Sequence, residues 1–152
     1  MFRGINSVNL DAKGRMALPS KHRESLLAGG DVHLVVTIDA DERCLLLYSL
    51  EEWEKVQAQL ESLSNMKRNT RTIQRLLIGH ATDVELDANG RLLLPPMLRE
   101  YARLEKKLVL LGQSNKIEIW GEEQWQQRLD AWLEERSGEE LGDDQDFAGL
   151  SV

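Results

Sequence analysis

Polar and apolar residues alternate along "NSVNL" (6–10) and again along "TDVEL" (82–86), the period of a strand with one covered face. Each alternation runs into a polar turn, "DAKG" or "DANG", followed by an apolar run closed by proline, "RMALP" or "RLLLP". In such turns the aspartate accepts hydrogen bonds from nearby backbone N–H groups, and glycine takes positive φ at little steric cost. The proline ends the returning strand because it has no N–H for a ladder. Helical turns are predicted next, in "SKHRESLLA" and "PMLREYARL", since proline suits the first turn of a helix. A second strand pair follows in each half: "HLVVTID" with "CLLLYS", and "KLVLLG" with "KIEIW". In "LEEWEKVQAQLESL", Trp53, Val56, Leu60 and Leu63 recur at helical spacing. "TRTIQRLLIGH" predicts another helix with its bases outermost, and "EEQWQQRLDAWLEE" one with Trp125, Leu129 and Trp132 or Leu133 along one side. Beyond Gly138 the chain becomes acidic and glycine-containing, and is expected to be mobile.

The two turns are one turn written twice. Asp11 and Asp87 stand 76 positions apart, and the same offset matches Leu10/Leu86, Ala12/Ala88, Gly14/Gly90, Arg15/Arg91, Leu18/Leu94, Pro19/Pro95, Arg23/Arg99 and Glu24/Glu100. After a small deletion, "CLLLYSLEEW" (44–53) aligns with "KIEIWGEEQW" (116–125). This is an internal duplication. One copy alone is too small for a stable core, since a unit of about 60 residues buries only about 60% of its unfolded surface. Two copies paired across a pseudo-twofold axis close a shared β-barrel and remove exposed strand edges. The expectation is a mainly β fold with flanking helices, a barrel built from two tandem repeats. The first repeat is placed at 5–52, a helical connector at 53–80, the second repeat at 81–124, and a C-terminal helix with acidic tail at 125–152.

Net charge is −7, which at first argues against a nucleic-acid partner. From Glu134 onward, however, there are seven acids and one base, so the remainder carries 18 bases and 19 acids. The stretch 66–80 holds Lys67, Arg68, Arg71 and Arg75 with no acid. A polyanion senses charge within about 8–10 Å, so a locally basic body matters more than the sum. No apolar run is long enough to cross a bilayer, the first residues lack the apolar segment of a secretory signal, and a lone Cys44 forms no internal disulfide. A cytoplasmic protein is expected.

Across a four-residue turn, Asp11 faces Arg15 and Asp87 faces Arg91. Turn capping accounts fully for the aspartates, with Gly14 and Gly90 as the bending residues. It does not account for the arginines, nor for Lys13 at the tip. A rigid hairpin tip carrying Lys13 and Arg15 suits phosphate contact and groove reading, with Arg91 next and Arg3 a candidate phosphate contact beside them. Paired aspartates on related turns also suggest an aspartic-protease site, but an arginine beside each carboxylate works against a shared proton. His22, His33 and His80 have no zinc spacing, and no phosphate or dinucleotide glycine loop occurs. The tryptophans sit on apolar faces, as core or subunit contacts. No catalytic residue, metal, cofactor or small-molecule substrate is expected.

Together, "MFRG", "NLDAKGR", "CLLLYSLEEWE", "QRLLIGHA", "ELDANGRLLLPPMLREYA" and "VLLGQSNKIEIW" resemble the MraZ family of bacterial transcriptional regulators, from Met1 to about Trp125. The resemblance implies two tandem AbrB-like half-domains, the swapped-hairpin barrel class. It implies a homo-oligomeric ring of many subunits on double-stranded DNA, associated with the nucleoid. It further implies binding at repeated promoter boxes, usually as a repressor of the division and cell-wall gene cluster. DNA contact then falls on the Asp-x-x-x-Arg hairpins, Asp11 to Arg15 and Asp87 to Arg91. Asn89 stands where the first tip has Lys13, which puts the second tip's phosphate contact in question. A ring makes weak contacts additive, raising avidity by about 10²–10⁴. A non-enzymatic ring scaffold and an RNA-binding module are the other readings.

Overall fold

A computed structural model describes residues 1–30, 32–137 and 145–151. The chain divides into two units, Met1–Glu122 and Glu123–Val152, taken in turn. The predicted mobility after Gly138 falls in part on 139–144, outside the described residues.

The first unit repeats one order of elements. The first copy supplies β1 (Phe2–Asn9), β2 (Arg15–Ala17), α1 (Ser20–Leu26), β3 (His33–Ile38) and β4 (Leu45–Ser49). Two helices follow, α2 (Leu50–Glu61) and α3 (Arg68–Leu77). The second copy supplies β5 (Thr82–Glu85), β6 (Arg91–Leu93), α4 (Pro96–Tyr101), β7 (Lys107–Ser114) and β8 (Lys116–Gly121). The strands lie on the predicted stretches, except that β1 begins at Phe2, four residues before the alternation that announced it. The α2 helix ends at Glu61, earlier than its spacing suggested, and Leu63 beyond it is 47% exposed.

The strands pair across the repeats. The main sheet is antiparallel, in the order β1-β7-β8-β4-β3-β5, and a separate ribbon joins β2 to β6. Exchanging the repeats reverses this order onto itself, so the pseudo-twofold axis passes between β8 and β4. The register sets Phe2 against Ser114 and Asn9 against Lys107 at one edge, and His33 against Glu85 at the other. The copies have thus traded their first strands. Among the described residues, β1 and β5 remain edges of an open sheet.

Both copies feed one core. Met16, Leu18, Leu26, Leu34, Leu92, Leu94, Leu98 and Leu110 are all buried in it. Burying one such side chain is worth roughly 1.5–3 kcal/mol. His22 is also buried, where the second repeat has Leu98. Asn6 Oδ1 lies 3.2 Å from its Nε2 and Phe2 meets it edge-on, while burial lowers its pKa. On the other sheet face, α2 and α3 cover Val35, Leu46 and Tyr48 through Trp53, Val56, Leu77 and Ile78. Thr37 is buried without penalty because its hydroxyl donates to Leu77 O at 2.7 Å. Arg68, Arg71 and Arg75 of α3 are exposed, as the pattern predicted.

The described residues of the second unit include α5 (Glu122–Arg136), which begins at the boundary, and a 3-10 turn at Gln145–Phe147. Trp125 and Trp132 meet edge to face at 5.9 Å, and the Arg128 guanidinium lies 5.1 Å from the Trp132 ring centre. No described helix is long and apolar enough to cross a membrane.

Candidate nucleic-acid interface

Each hairpin is set by its aspartate. Asp11 N–H donates to Arg15 O at 2.9 Å and Gly14 N–H donates to Asp11 O at 3.0 Å. This is a three-residue loop that closes with a left-handed residue, Gly14 at φ +89°. Asp11 Oδ1 then accepts the N–H groups of Lys13 and Arg15, both at 2.9 Å, and its Oδ2 accepts Arg15 Nε–H at 2.8 Å. The second hairpin repeats every bond. Asp87 Oδ1 accepts Asn89 N–H at 2.8 Å and Arg91 N–H at 2.9 Å, and Oδ2 accepts Arg91 Nε–H at 3.0 Å. Gly90 bends at φ +72°.

The backbone N–H of Arg15 is the strongest influence holding the Asp11 carboxyl below its usual pKa, with the guanidinium and the Lys13 N–H assisting. Asp87 is lowered in the same way, first by the Arg91 N–H. Both carboxylates therefore stay ionised, and neither is available to share a proton. Each arginine spends only Nε on its aspartate; among the described residues, both Nη groups of each carry no further hydrogen bond. The side chains of Arg15 and Arg91 are 30% and 32% exposed, a near-equality that marks the sites as equivalent.

The ribbon brings these arginines to one surface. Arg15 pairs with Leu93, Met16 with Leu92, and Ala17 with Arg91. Met16 and Leu92 point into the core, so by strand alternation Arg15, Ala17, Arg91 and Leu93 point outward. Arg15 and Arg91 are then diagonal neighbours, with Cα atoms about 7–8 Å apart. Lys13 stands exposed at its tip, and Asn89 at the other.

Arg3 does not join them. It lies at the start of β1, and the strand from Arg3 to Asn9 covers about 20 Å before the turn begins. Two further arginines, which no local motif singles out, do join them. Arg23 of α1 lies against Gly90, and Arg99 of α4 against Gly14. The signal was present, since both arginines recur at the repeat offset, but their partners become visible only through the exchange of strands. Among the described residues no cluster of His, Cys, Asp and Glu is arranged to hold a metal.

The duplicated hairpin has a counterpart outside this chain. The family described as "MraZ protein, putative antitoxin-like" matches twice, over residues 1–76 and 77–146. The chain belongs to the MraZ family. Among curated MraZ relatives, a Legionella pneumophila protein named "Transcriptional regulator MraZ" is 52% identical over 137 residues, 90% of each chain. A Halorhodospira halophila protein of the same name is 52% identical over 135 residues, 89% of each chain. One from Shewanella oneidensis is 46% identical over 152 residues, all of both chains. The family boundary at residue 76 coincides with the internal repeat.

Proposed function

We propose that this protein is a non-enzymatic, sequence-specific DNA-binding transcriptional regulator that reads double-stranded DNA through the outward face of the β2–β6 ribbon. The observation that carries this reading is the twin Asp–Arg hairpin. Two guanidinium groups stand on one surface, each oriented through Nε by a carboxylate and, among the described residues, with no hydrogen bond at its Nη groups. A two-stranded ribbon fits the major groove, and an oriented arginine there can grip guanine O6 and N7. Lys13 supplies phosphate contact at the first tip, and Arg3, on its distant strand end, meets a different phosphate.

The finer reading follows the family: a cytoplasmic, nucleoid-associated repressor of the division and cell-wall gene cluster, acting at repeated boxes in its own promoter. The barrel form of the fold goes with it, supported by the exchanged pairs β1–β7 and β3–β5. Assembly into a ring is supported by the open edge of β1, eight residues long, which carries Ile5 at 57% exposure. Such an edge is a ready template for another chain.

A gel-shift titration on promoter DNA tests the reading. Arg15→Ala is expected to weaken binding by about 5- to 150-fold, the worth of one bidentate base contact. Arg136→Ala, in the second unit, leaves affinity unchanged. Equal affinities for the two variants would remove Arg15 from its role. The same open β1 edge also favours a ring scaffold without DNA. Light scattering separates the two readings, because loss of the oligomer in Arg15→Ala supports the scaffold alone.

A further inference from the structure

Arg23 and Arg99 hold equivalent places in the two repeats, and each lies on the turn of the other repeat. A Cβ built on Gly14 would stand 2.6 Å from Arg99 Cζ and 2.8 Å from its Nε. One built on Gly90 would stand 2.6 Å from Arg23 Cδ. Each glycine is required by its φ, and a side chain added there would also have to displace the arginine lying against it.

The contact at Gly14 is fastened on both sides. Arg99 Nε–H donates to Leu94 O at 2.9 Å, and Leu94 N–H donates to Gly14 O at 2.9 Å. Arg99, Leu94 and Gly14 thus close a small circuit between α4 and the first hairpin. At the other tip, Leu18 N–H donates to Gly90 O at 3.1 Å, but the arginine is anchored differently. Arg23 Nη2 donates to Ser20 Oγ at 2.9 Å, and its buried Nε has no hydrogen-bond partner among the described residues. The equivalent of Ser20 is Pro96, which has no hydroxyl, so the two anchors differ because one residue of the repeat differs.

Simple filling of the space would be cheaper with leucine or methionine, since desolvating part of a guanidinium costs free energy. What a guanidinium adds is a flat, rigid surface with directional donors.

We propose that Arg99 and Arg23 are positioning residues acting across the repeats, each fixing the pose in which the other repeat's Asp–Arg hairpin meets DNA. The proposal rests on the DNA-binding reading above for its consequence, but not for its geometry. Loss of Arg99 loosens the tip carrying Lys13 and Arg15, and loss of Arg23 loosens the tip carrying Asn89 and Arg91. Arg99 is the firmer brace, because its Nε–H is tied to the Leu94 carbonyl that belongs to the same circuit as Gly14, whereas Arg23 is tied only to Ser20 of its own helix.

Two measurements on the full chain test this. In DNA-free protein labelled with ¹⁵N at glycine, Arg99→Ala and Arg99→Lys are expected to move the Gly14 amide signal and leave Gly90 in place. Arg23→Ala does the reverse. With promoter DNA, Arg99 and Arg15 variants are expected to depart from additivity by about threefold or more in Kd, whereas Arg99 and Arg91 variants combine within about twofold. Arg99→Lys takes the place of Arg99→Ala in the cycle should the alanine variant not fold. The brace is overturned if Arg99→Lys leaves Gly14 unmoved, or if Arg99 couples to Arg91 as strongly as to Arg15. Failure of the unaltered protein to bind promoter DNA overturns the functional reading instead, and the glycine signals then decide the brace alone.

Discussion

Met16 of the first repeat and Leu92 of the second face each other at the centre of the β2–β6 ribbon, 1% and 0% exposed. They are the inward side of the surface whose outward side carries Arg15 and Arg91. Truncating either opens a cavity directly beneath both hairpins. Leu92→Ala is expected to cost about 2–5 kcal/mol, measured by denaturant unfolding. It should also weaken DNA binding at both tips, although Leu92 touches no solvent.

Asn89 marks the one chemical difference between the tips. Its backbone N–H makes the same bond to aspartate as that of Lys13, so lysine at this position is accommodated by the turn. Asn89→Lys is expected to tighten DNA binding and to steepen the plot of log K against log salt by about 0.9, one added phosphate contact per subunit. Unchanged slope would show that the second tip does not approach the backbone.

The hairpins should be insensitive to pH across the neutral range. Asp11 and Asp87 are both held below the usual carboxylate value of 3.8. Because the folded value is depressed, their contribution is fully present above about 3.8 and is lost as pH falls through the lower folded value. NMR titration is expected to leave the amides of Lys13, Arg15, Asn89 and Arg91 unmoved from pH 8 to 5, and to shift them only in stronger acid. Movement of these signals near pH 6 would contradict the assignment.

Gly14→Ala meets two obstacles, a φ of +89° and the Arg99 guanidinium. It is expected to destabilise by more than about 1 kcal/mol in chemical denaturation. Adding Arg99→Ala removes the second obstacle but not the first. The double variant should therefore be more stable than the sum of the single changes indicates.

The sequence made much of this fold legible because its strongest signals are local. Alternation and short apolar runs marked the strands, Asp-x-x-Gly-Arg marked the turns, and the offset between Asp11 and Asp87 revealed the duplication. The exchange of β1 and β5 is not local, and what depends on it was hidden. Arg23 and Arg99 read as ordinary helix residues until strand pairing carried each to the opposite turn. Arg3 reads as a phosphate contact beside the hairpin residues, yet the extended strand Phe2–Asn9 sets it far along the chain from the turn. Leu63 fits the helical spacing of Trp53 and Leu60, but Ser62 caps α2 before it is reached.

The strand exchange also governs how the molecule comes into being. β1 leaves the ribosome first, but its partner β7 begins at Lys107, about 100 residues later, which at cellular synthesis rates is a wait of roughly 5–20 s. Through that interval the nascent chain displays an unsatisfied ladder that only its own later half, or a sister polypeptide, can complete. A message cut short between the halves would therefore yield not a weaker reader but a sticky fragment, and division of the gene at its internal symmetry would leave neither product able to finish its sheet alone.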